Sequence, residues 1–421
     1  MTDPLRLSKV PDAGPRVPRR VWSSAGWMVG GRLFGSACTL VTLLVLAGHL
    51  DDAAFGRLTF WLAVFLVLDG IVDFGAGQVA VQRAASDPSA AGAVLRTARR
   101  ARLVTGGLVV AGVAGIALAL EGGDGPYLAV AALYQLSHVL ELSTLGWRDR
   151  IAWRSPVLVR AGAALTSLVA VLLLRSTGED RAMPYLVAIA IGSTLGNVAL
   201  HVFGRRGLPR TEGVAAAPLK PFLAASIPMG AAAVCQQLYF HVDNVFLRTW
   251  HGDETVGYYG VAVRVMSLAI MGGVYAASAA LPWLARADAR GELGGAAMRL
   301  CALTVAIGAI GAGVLFPLRT RVLGLFGDEF VAASDALAWL LGAALLVHVG
   351  APLLTAVVAA GRMRAVLAIA ASSLALNLAG NAWLVPERSM DGAAIATAAT
   401  EGFVAVAALV TLLALRRRPR L

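Results

Sequence analysis

Residues 46–83 read LAGHLDDAAFGRLTFWLAVFLVLDGIVDFGAGQVAVQR. An apolar run ends in a short acidic turn at Asp51 and Asp52, and a second apolar run follows at once. A helix of about 20 apolar residues crosses the hydrocarbon core of a bilayer. This stretch therefore predicts a helical hairpin in a membrane, with the acidic turn at one surface.

Apolar runs of this kind occupy almost the whole chain. Of its 421 residues, 58% are hydrophobic and 14% are charged, against about 45–50% and about 25% in soluble domains. This composition excludes a disordered chain and a disulfide-stapled secreted domain, and it predicts an all-α polytopic membrane protein. Twelve transmembrane helices are predicted, at 22–48, 54–80, 101–120, 126–147, 156–174, 183–203, 221–249, 255–284, 296–317, 331–360, 363–385 and 391–415.

The basic residues predict the orientation of these spans. With the N-terminus in the cytoplasm, 27 of the 36 Lys and Arg residues fall in segments on the inside and 7 on the outside. Cytoplasmic loops of membrane proteins carry such an excess, so the net charge of +11 needs no nucleic-acid partner. Both termini of this multi-pass protein are therefore predicted to be cytoplasmic.

Two of the predicted outside links form an internal repeat. Asp52 and Gly56 in the link between spans 1 and 2 correspond to Asp253 and Gly257 in the link between spans 7 and 8, each 201 residues later. Six helices separate the two copies, so both copies start on the same side and the repeat is parallel. Two parallel six-helix lobes around a central cavity are predicted, as in many transporters. The predicted segments are the tail 1–21, the N-lobe 22–204, the basic linker 205–220, the C-lobe 221–415 and the basic tail 416–421.

Charged residues within the spans mark the candidate functional groups, because a charge in hydrocarbon needs a partner or water. Asp69 and Asp73 lie one turn apart on one helix face, at the depth of Arg32 on span 1. We expect Arg32 either to meet an anionic substrate beside these acids or to join the two helices as a salt bridge. Asp243 and Arg264 also lie at matching depths, so they could pair across the second hairpin.

Span 7 also carries uncharged polar groups, at Gln236, Gln237, Tyr239 and Asn244. They fall on adjacent stripes of one helix. A surface this polar is not expected to face lipid, so span 7 is predicted to line the cavity or to pack on a polar neighbour.

The two hairpins resemble those of the polysaccharide-biosynthesis or O-antigen flippases, a branch of the superfamily that also holds lipid II flippases and multidrug and toxin extrusion proteins. In the first hairpin the resemblance rests on Phe55-Gly56 at the turn, Asp73-x-Gly75 at the helix end and the later Arg83. In the second it rests on the stretch 227–265, IPMGAAAVCQQLYFHVDNVFLRTWHGDETVGYYGVAVRV, with Pro228, Asp243, Gly257, Tyr259 and Arg264, and on the Pro of LPWLAR at 281–286.

The resemblance implies a flippase that moves polyprenyl-diphosphate-linked oligosaccharide across the bacterial cytoplasmic (inner) membrane by alternating access, for cell-surface polysaccharide. Arg32 and Arg264 would attract the diphosphate, and Gln236, Gln237, Tyr239 and Asn244 would contact the glycan. Asp69, Asp73 or Asp243 would couple the cycle to a proton or another ion. Membrane lipid and a polysaccharide polymerase or other assembly proteins are the implied partners.

Other functions remain open at this stage. An ion-coupled multidrug or small-molecule exporter of the same superfamily predicts an acidic cavity, against which the two arginines argue. A membrane glycan polymerase or ligase is disfavoured by the short outside loops, and a scaffold without transport is not excluded. The sequence has no P-loop or metal-binding motif, and Cys38, Cys235 and Cys301 are expected to be free thiols. The chain is therefore expected to work without a cofactor or metal and not to be an enzyme.

Overall fold

The computed structural model describes residues 19–77, 79–80, 83, 91–119, 123–139, 154–204 and 218–416. Within these ranges the chain forms helices and turns, and no strand is present. The helices are α1 (Arg19–Ala47), α2 (Asp52–Asp73), α3 (Ala91–Ala119), α4 (Gly125–Val139), α5 (Arg154–Ser176), α6 (Ala182–Gly204), α7 (Leu219–His241), α8 (Asp243–Ala289), α9 (Leu293–Gly324), α10 (Ser334–Ala359) and α11 (Met363–Arg416). A 3₁₀ helix, Asp328–Ala333, precedes α10.

Eight stretches of the described chain are long and apolar enough to cross a membrane. Large apolar side chains point outward along them; Leu118 is 90% exposed and Trp383 74%. Such exposure is unfavourable in water and is expected where a helix faces lipid. The predicted all-α polytopic membrane fold is therefore confirmed.

Two of these stretches contain more than one crossing. One covers 219–289, which is 71 residues, and another covers 363–415. A straight helix of 71 residues would be about 105 Å long, more than three times the hydrocarbon thickness. The helical geometry is broken at Gly252, with φ 86°, and at Ser389, with φ 48°. These breaks fall within the predicted links between spans 7 and 8 and between spans 11 and 12.

Span 2 ends earlier than predicted. The apolar run continues to residue 80, but α2 stops at Asp73. Phe74 and Gly75 then take left-handed conformations, with φ 37° and 72°. A β-carbon on Gly75 would lie 2.8 Å from the backbone nitrogen of Gly230, so the chain turns where it meets α7. Hydropathy does not register this break because the residues on both sides of it are apolar.

The described chain packs as two compact units. The first comprises residues up to Thr42, Leu68–Glu179 and Pro184–Gly230, and the second comprises Leu43–Val67, Asp180–Met183 and residues from Ala231 onward. In the first unit α3 packs through Val94, Ala98 and Ala101 on Phe222 of α7. In the second unit Leu284, Leu300 and Leu353 belong to one core formed by α8, α9, α10 and α11. Most of the predicted linker, 205–217, lies outside the described residues, and the six-helix lobes remain a prediction.

Candidate functional site

Asp243, in the second unit, is buried among neutral hydrogen-bond donors. It is 3% exposed. Its Oδ2 accepts a hydrogen bond from the Tyr259 hydroxyl at 2.7 Å, and its Oδ1 accepts from the backbone nitrogen and side-chain amide of Asn244 at 2.9 and 3.1 Å. Thr397 of α11 lies beside the Tyr259 hydroxyl. The hydrogen-bond partners of the carboxyl group thus come from α8, and α11 contacts the tyrosine that binds it.

Asp243 and Arg264, whose depths in the sequence would allow a pair, are not partners in the structure. Within the described part of the chain, no ion pair joins these two side chains. The two side chains do not meet because they lie at different depths along the helices, measured in residues from the break at Gly252. Asp243 lies nine residues before the break and Tyr259 seven after it, whereas Arg264 lies twelve after it, more than one turn deeper than Tyr259.

Arg264 is a half-buried cation whose guanidinium has no hydrogen bond or ion pair with any described residue. The imidazole of His241, at the end of α7, is an electrostatic neighbour of Arg264. An arginine in a membrane-spanning helix normally pairs with an acid or a backbone carbonyl. The donors of Arg264 are therefore not used by any residue that the structure describes.

The polar residues of predicted span 7, on α7 and the start of α8, divide between internal bonds and open positions. Gln237 donates to the carbonyl oxygen of Leu66 at 2.9 Å, and the Asn244 amide donates to the carbonyl oxygen of His241 at 3.1 Å. Tyr239 is 5% exposed, with Gln236 and Glu401 beside its hydroxyl. Gln236 itself is exposed. The predicted polar face is thus partly satisfied inside the second unit.

Sequence reasoning gave too little weight to α11. This helix contributes six buried polar side chains, Ser373, Asn377, Asn381, Thr397, Thr400 and Glu401. The Asn377 amide donates to the Thr400 hydroxyl at 3.3 Å, and the Asn381 amide donates to the Asn377 carbonyl at 2.9 Å. One carboxylate oxygen of Glu401, at 3% exposure, has no hydrogen-bond partner in the described structure. Asn377 and Asn381 are four residues apart before the break at Ser389, and Thr400 and Glu401 lie three and four residues after Thr397 beyond it. These helical spacings were the available signal.

In the first unit Asp69 lies at the contact of α2 and α4. It accepts hydrogen bonds from the Gln135 amide at 2.8 Å and the Tyr134 hydroxyl at 3.2 Å, and Nδ1 of His138 lies 3.9 Å away. Asp69 thus has polar neighbours of α4 that the sequence analysis did not assign to it.

Asp73 has a different cationic neighbour from the expected one. Nη1 of Arg102, on α3, lies 3.8 Å from its Oδ1. The backbone of Arg32 belongs to α1, but its side chain lies outside the described part of the structure, and so does the predicted contact with Asp69 and Asp73. Arg102 was overlooked because it was counted among the basic residues of a cytoplasmic segment. The helix α3 begins ten residues before the predicted span, so Arg102 lies within it. Its side chain is buried there, at 5% exposure.

The described residues contain no group of three or more His, Cys, Asp or Glu side chains that could hold a metal ion. Cys38, Cys235 and Cys301 are free.

Comparison with solved structures identifies the fold. The lipid II flippase MurJ in an inward closed conformation aligns with a TM-score of 0.74 at 13% identity, covering 93% of this chain and 87% of that one. A MATE protein in complex with MaL6 aligns at 0.71 and 14%, covering 95% and 97%. A MOP superfamily transporter from Pyrococcus furiosus, reported to have a binding pocket of reverse polarity, aligns at 0.69 and 15%, covering 94% of each chain. The chain thus has the fold of the MOP-superfamily transporters.

Family models identify the family of the chain within this superfamily. The model for polysaccharide biosynthesis proteins matches residues 21–288, and the MatE model matches residues 228–383. The first match covers well over half of the chain, and the protein belongs to the polysaccharide biosynthesis protein family. No curated protein matches it.

Proposed function

We propose that this protein is a flippase that moves a polyprenyl-diphosphate-linked oligosaccharide across the bacterial cytoplasmic (inner) membrane by alternating access. The observation that carries the proposal is Arg264, a guanidinium in a membrane-spanning helix without a partner among the described residues. A diphosphate supplies the two negative charges and the planar oxygen pairs that a guanidinium binds best. Membership of the polysaccharide biosynthesis protein family supports the same substrate class.

The remaining predicted residues have separate roles in this proposal. Arg32 contributes a second cation to the diphosphate, and exposed Gln236 is available to the sugar hydroxyl groups. Gln237, Tyr239 and Asn244, whose polar atoms face internal partners, contact the glycan when the helices rearrange. Membrane lipid surrounds the polyprenyl tail, and a polysaccharide polymerase or other assembly proteins receive the product.

Carboxyl groups within the membrane spans provide the coupling to an ion gradient. Asp69, Asp73 and Asp243 were the predicted groups, and Glu401 joins them because it is buried with one unpartnered oxygen. Proton or cation binding at such a group changes the stability of one conformation relative to another.

An ion-coupled exporter of small molecules is the second candidate function. The observation in its favour is the match of the MatE model to residues 228–383, the segment that contains Arg264 and Asp243. This function predicts drug accumulation in cells that lack the protein, with no change in the distribution of lipid-linked sugar.

The deciding experiment measures the leaflet in which lipid-linked sugar resides. Cells depleted of the protein are labelled with radioactive sugar, converted to sealed spheroplasts and probed with a membrane-impermeant glycosidase or lectin. We expect protected inner-leaflet glycolipid to accumulate and wild-type protein to restore its exposure. Arg264→Ala is expected to fail and Arg264→Lys to restore part of the activity. Arg299→Ala, at an exposed position of α9, is the matched control.

Unchanged glycolipid exposure in depleted cells would refute the flippase and favour the exporter, for which drug accumulation becomes the assay. Full activity of Arg264→Ala would refute the role of this arginine.

A further inference from the structure

The two repeated turns of the sequence contact each other in the second unit. The offset of 201 residues relates Asp52 to Asp253 and Arg57 to Tyr258. Nε of Arg57 donates to Oδ2 of Asp253 at 3.1 Å, and the hydroxyl of Tyr258 donates to Oδ2 of Asp52 at 2.6 Å. Each copy thus contributes a donor and an acidic acceptor, and the contacts are reciprocal, as across a two-fold axis.

The backbones of the two copies also meet at matching positions. A β-carbon on Gly56 would collide with the carbonyl oxygen of Asp253, and one on Gly257 would lie 3.2 Å from the α-carbon of Gly56. One turn further along, a β-carbon on Gly260 would lie 3.4 Å from Thr59, its equivalent in the other copy. The start of α2 and the segment of α8 after Gly252 therefore lie side by side with equivalent residues facing each other.

An aromatic side chain closes the contact from the 3₁₀ helix. The ring of Phe330, at 1% exposure, packs edge-on against Phe55 and Tyr258, with ring centroids 5.4 and 5.2 Å apart. We call the whole contact the outer latch: Asp52, Phe55, Gly56 and Arg57 on one side, Asp253, Gly257 and Tyr258 on the other, and Phe330 against both.

Both polar groups that α8 contributes have a second partner on α8 itself. Nε of Arg248 lies 2.6 Å from the other oxygen of Asp253, and the Tyr258 hydroxyl lies 2.8 Å from Oε1 of Glu254. A phenol has one proton to donate, so Asp52 and Glu254 compete for it. If α2 moved away, Asp253 would keep Arg248 and Tyr258 would turn to Glu254, and neither group would be left unsatisfied.

We propose that the outer latch is a reversible gate, closed in this structure, which opens at the predicted outer surface during transport by exchange of partners on α8. Partly exposed ion pairs such as Arg57–Asp253, with side chains 43% and 13% exposed, contribute little stability and break readily. Because the glycines let the two backbones touch, α2 and α8 return to the same relative position each time the gate closes. The proposal rests on the proposed transport function, but not on the identity of the substrate.

The test measures opening directly, in a variant that lacks Cys38, Cys235 and Cys301. Thr59→Cys, at a position 7% exposed in the closed latch, reports opening through its reaction with an impermeant maleimide added outside. Asp52→Ala removes the acceptor that the Tyr258 hydroxyl uses only in the closed latch and leaves Glu254 for the open one, so labelling is expected to become about tenfold faster. Glu254→Ala removes the competing acceptor, so labelling is expected to become slower.

The opposite signs separate partner exchange from general loosening. Destabilisation of the fold would accelerate labelling in both variants, and that result, or unchanged labelling in both, would overturn the proposal. Arg290→Ala, at the exposed Arg290–Glu292 pair, is the matched control and is expected to label like the parent. If the two variants shift labelling in opposite directions but depletion leaves glycolipid exposure unchanged, the proposed substrate is wrong and the proposed gate stands.

Discussion

Asp243 illustrates the requirements of a buried carboxyl group in a helix that crosses the membrane. Its partners are a phenol, a backbone amide and a side-chain amide, and none carries a charge. The Tyr259 bond is the one that comes from a distant part of the chain, sixteen residues away. Loss of one partner of a buried hydrogen bond costs about 1–3 kcal/mol.

Tyr259→Phe is therefore expected to destabilise the protein by about 1–3 kcal/mol and to lower its melting temperature in detergent by several degrees. Asp243→Asn retains an acceptor for the same hydroxyl and is expected to lower the melting temperature less. Thermal unfolding of the two purified variants and the parent measures this order, and a larger loss in Asp243→Asn would contradict it.

At the same scale, the sequence indicated which residues are polar but not which of them meet. Asp243 and Arg264 have charges of opposite sign at similar estimated depths, and only the position of the break at Gly252 shows that Tyr259 is the partner. Glu401 and Asn377 lie more than 130 residues after Asp243 in sequence. No local pattern places α11 beside α7 and α8, because that contact depends on tertiary packing.

Among the elements, the crossing of α8, α9 and α10 depends on two glycines. His348 of α10 is fully buried, and its Nδ1 lies 2.7 Å from the carbonyl oxygen of Ala344. Its ring fills the space opposite Gly308 of α9, where a β-carbon would lie 2.6 Å from ring atoms, and it would collide with a β-carbon on Gly273 of α8. The imidazole therefore sets how closely the three helices approach.

Gly308→Ala is expected to destabilise the protein by about 1–3 kcal/mol, because the core cannot accommodate the extra methyl group. Gly311→Ala is the matched control on the same helix, since nothing lies within 4 Å of its β-carbon; alanine there favours the helix by about 1 kcal/mol. Melting temperatures in detergent should shift in opposite directions, and an equal shift in both variants would rule out steric contact with His348.

The break after α2 gives a second prediction about an element. Gly75→Ala would combine a left-handed backbone with a β-carbon 2.8 Å from Gly230, so we expect a large loss of folded protein in membranes. Gly107→Ala on α3, where a β-carbon meets nothing within 4 Å, should be tolerated. Fluorescence size-exclusion chromatography measures both, and a normal profile for Gly75→Ala would contradict the tight contact.

Helix positions were largely predictable because a membrane span needs a fixed length of apolar sequence. Predicted span 6 at 183–203 and α6 at Ala182–Gly204 differ by one residue at each end. Predictions failed where the backbone changes direction inside apolar sequence, as at Phe74, or where a helix continues through charged residues, as in α3. Hydropathy measures side chains and carries no information on either feature.

For the whole molecule, the charge asymmetry predicts the orientation in the membrane. Thr177, between α5 and α6, and Arg362, between α10 and α11, are both exposed in short links, and the orientation places the first outside and the second inside. In a cysteine-free background, Thr177→Cys should react with an impermeant maleimide in intact cells, whereas Arg362→Cys should react only after permeabilisation. The reverse pattern would invert the orientation.

The outer latch also constrains how this sequence can change with time. In a dimer of identical half-length chains, one glycine codon would supply both sides of the contact between Gly56 and Gly257. In the present chain two separate codons, 201 positions apart, encode the two glycines of this contact. A larger residue at either position meets the backbone of the other copy, so no substitution at the opposite glycine can compensate for it. Duplicated segments normally diverge freely, but these two turns inherit a shared restriction and will resemble each other long after their flanking helices have lost all similarity.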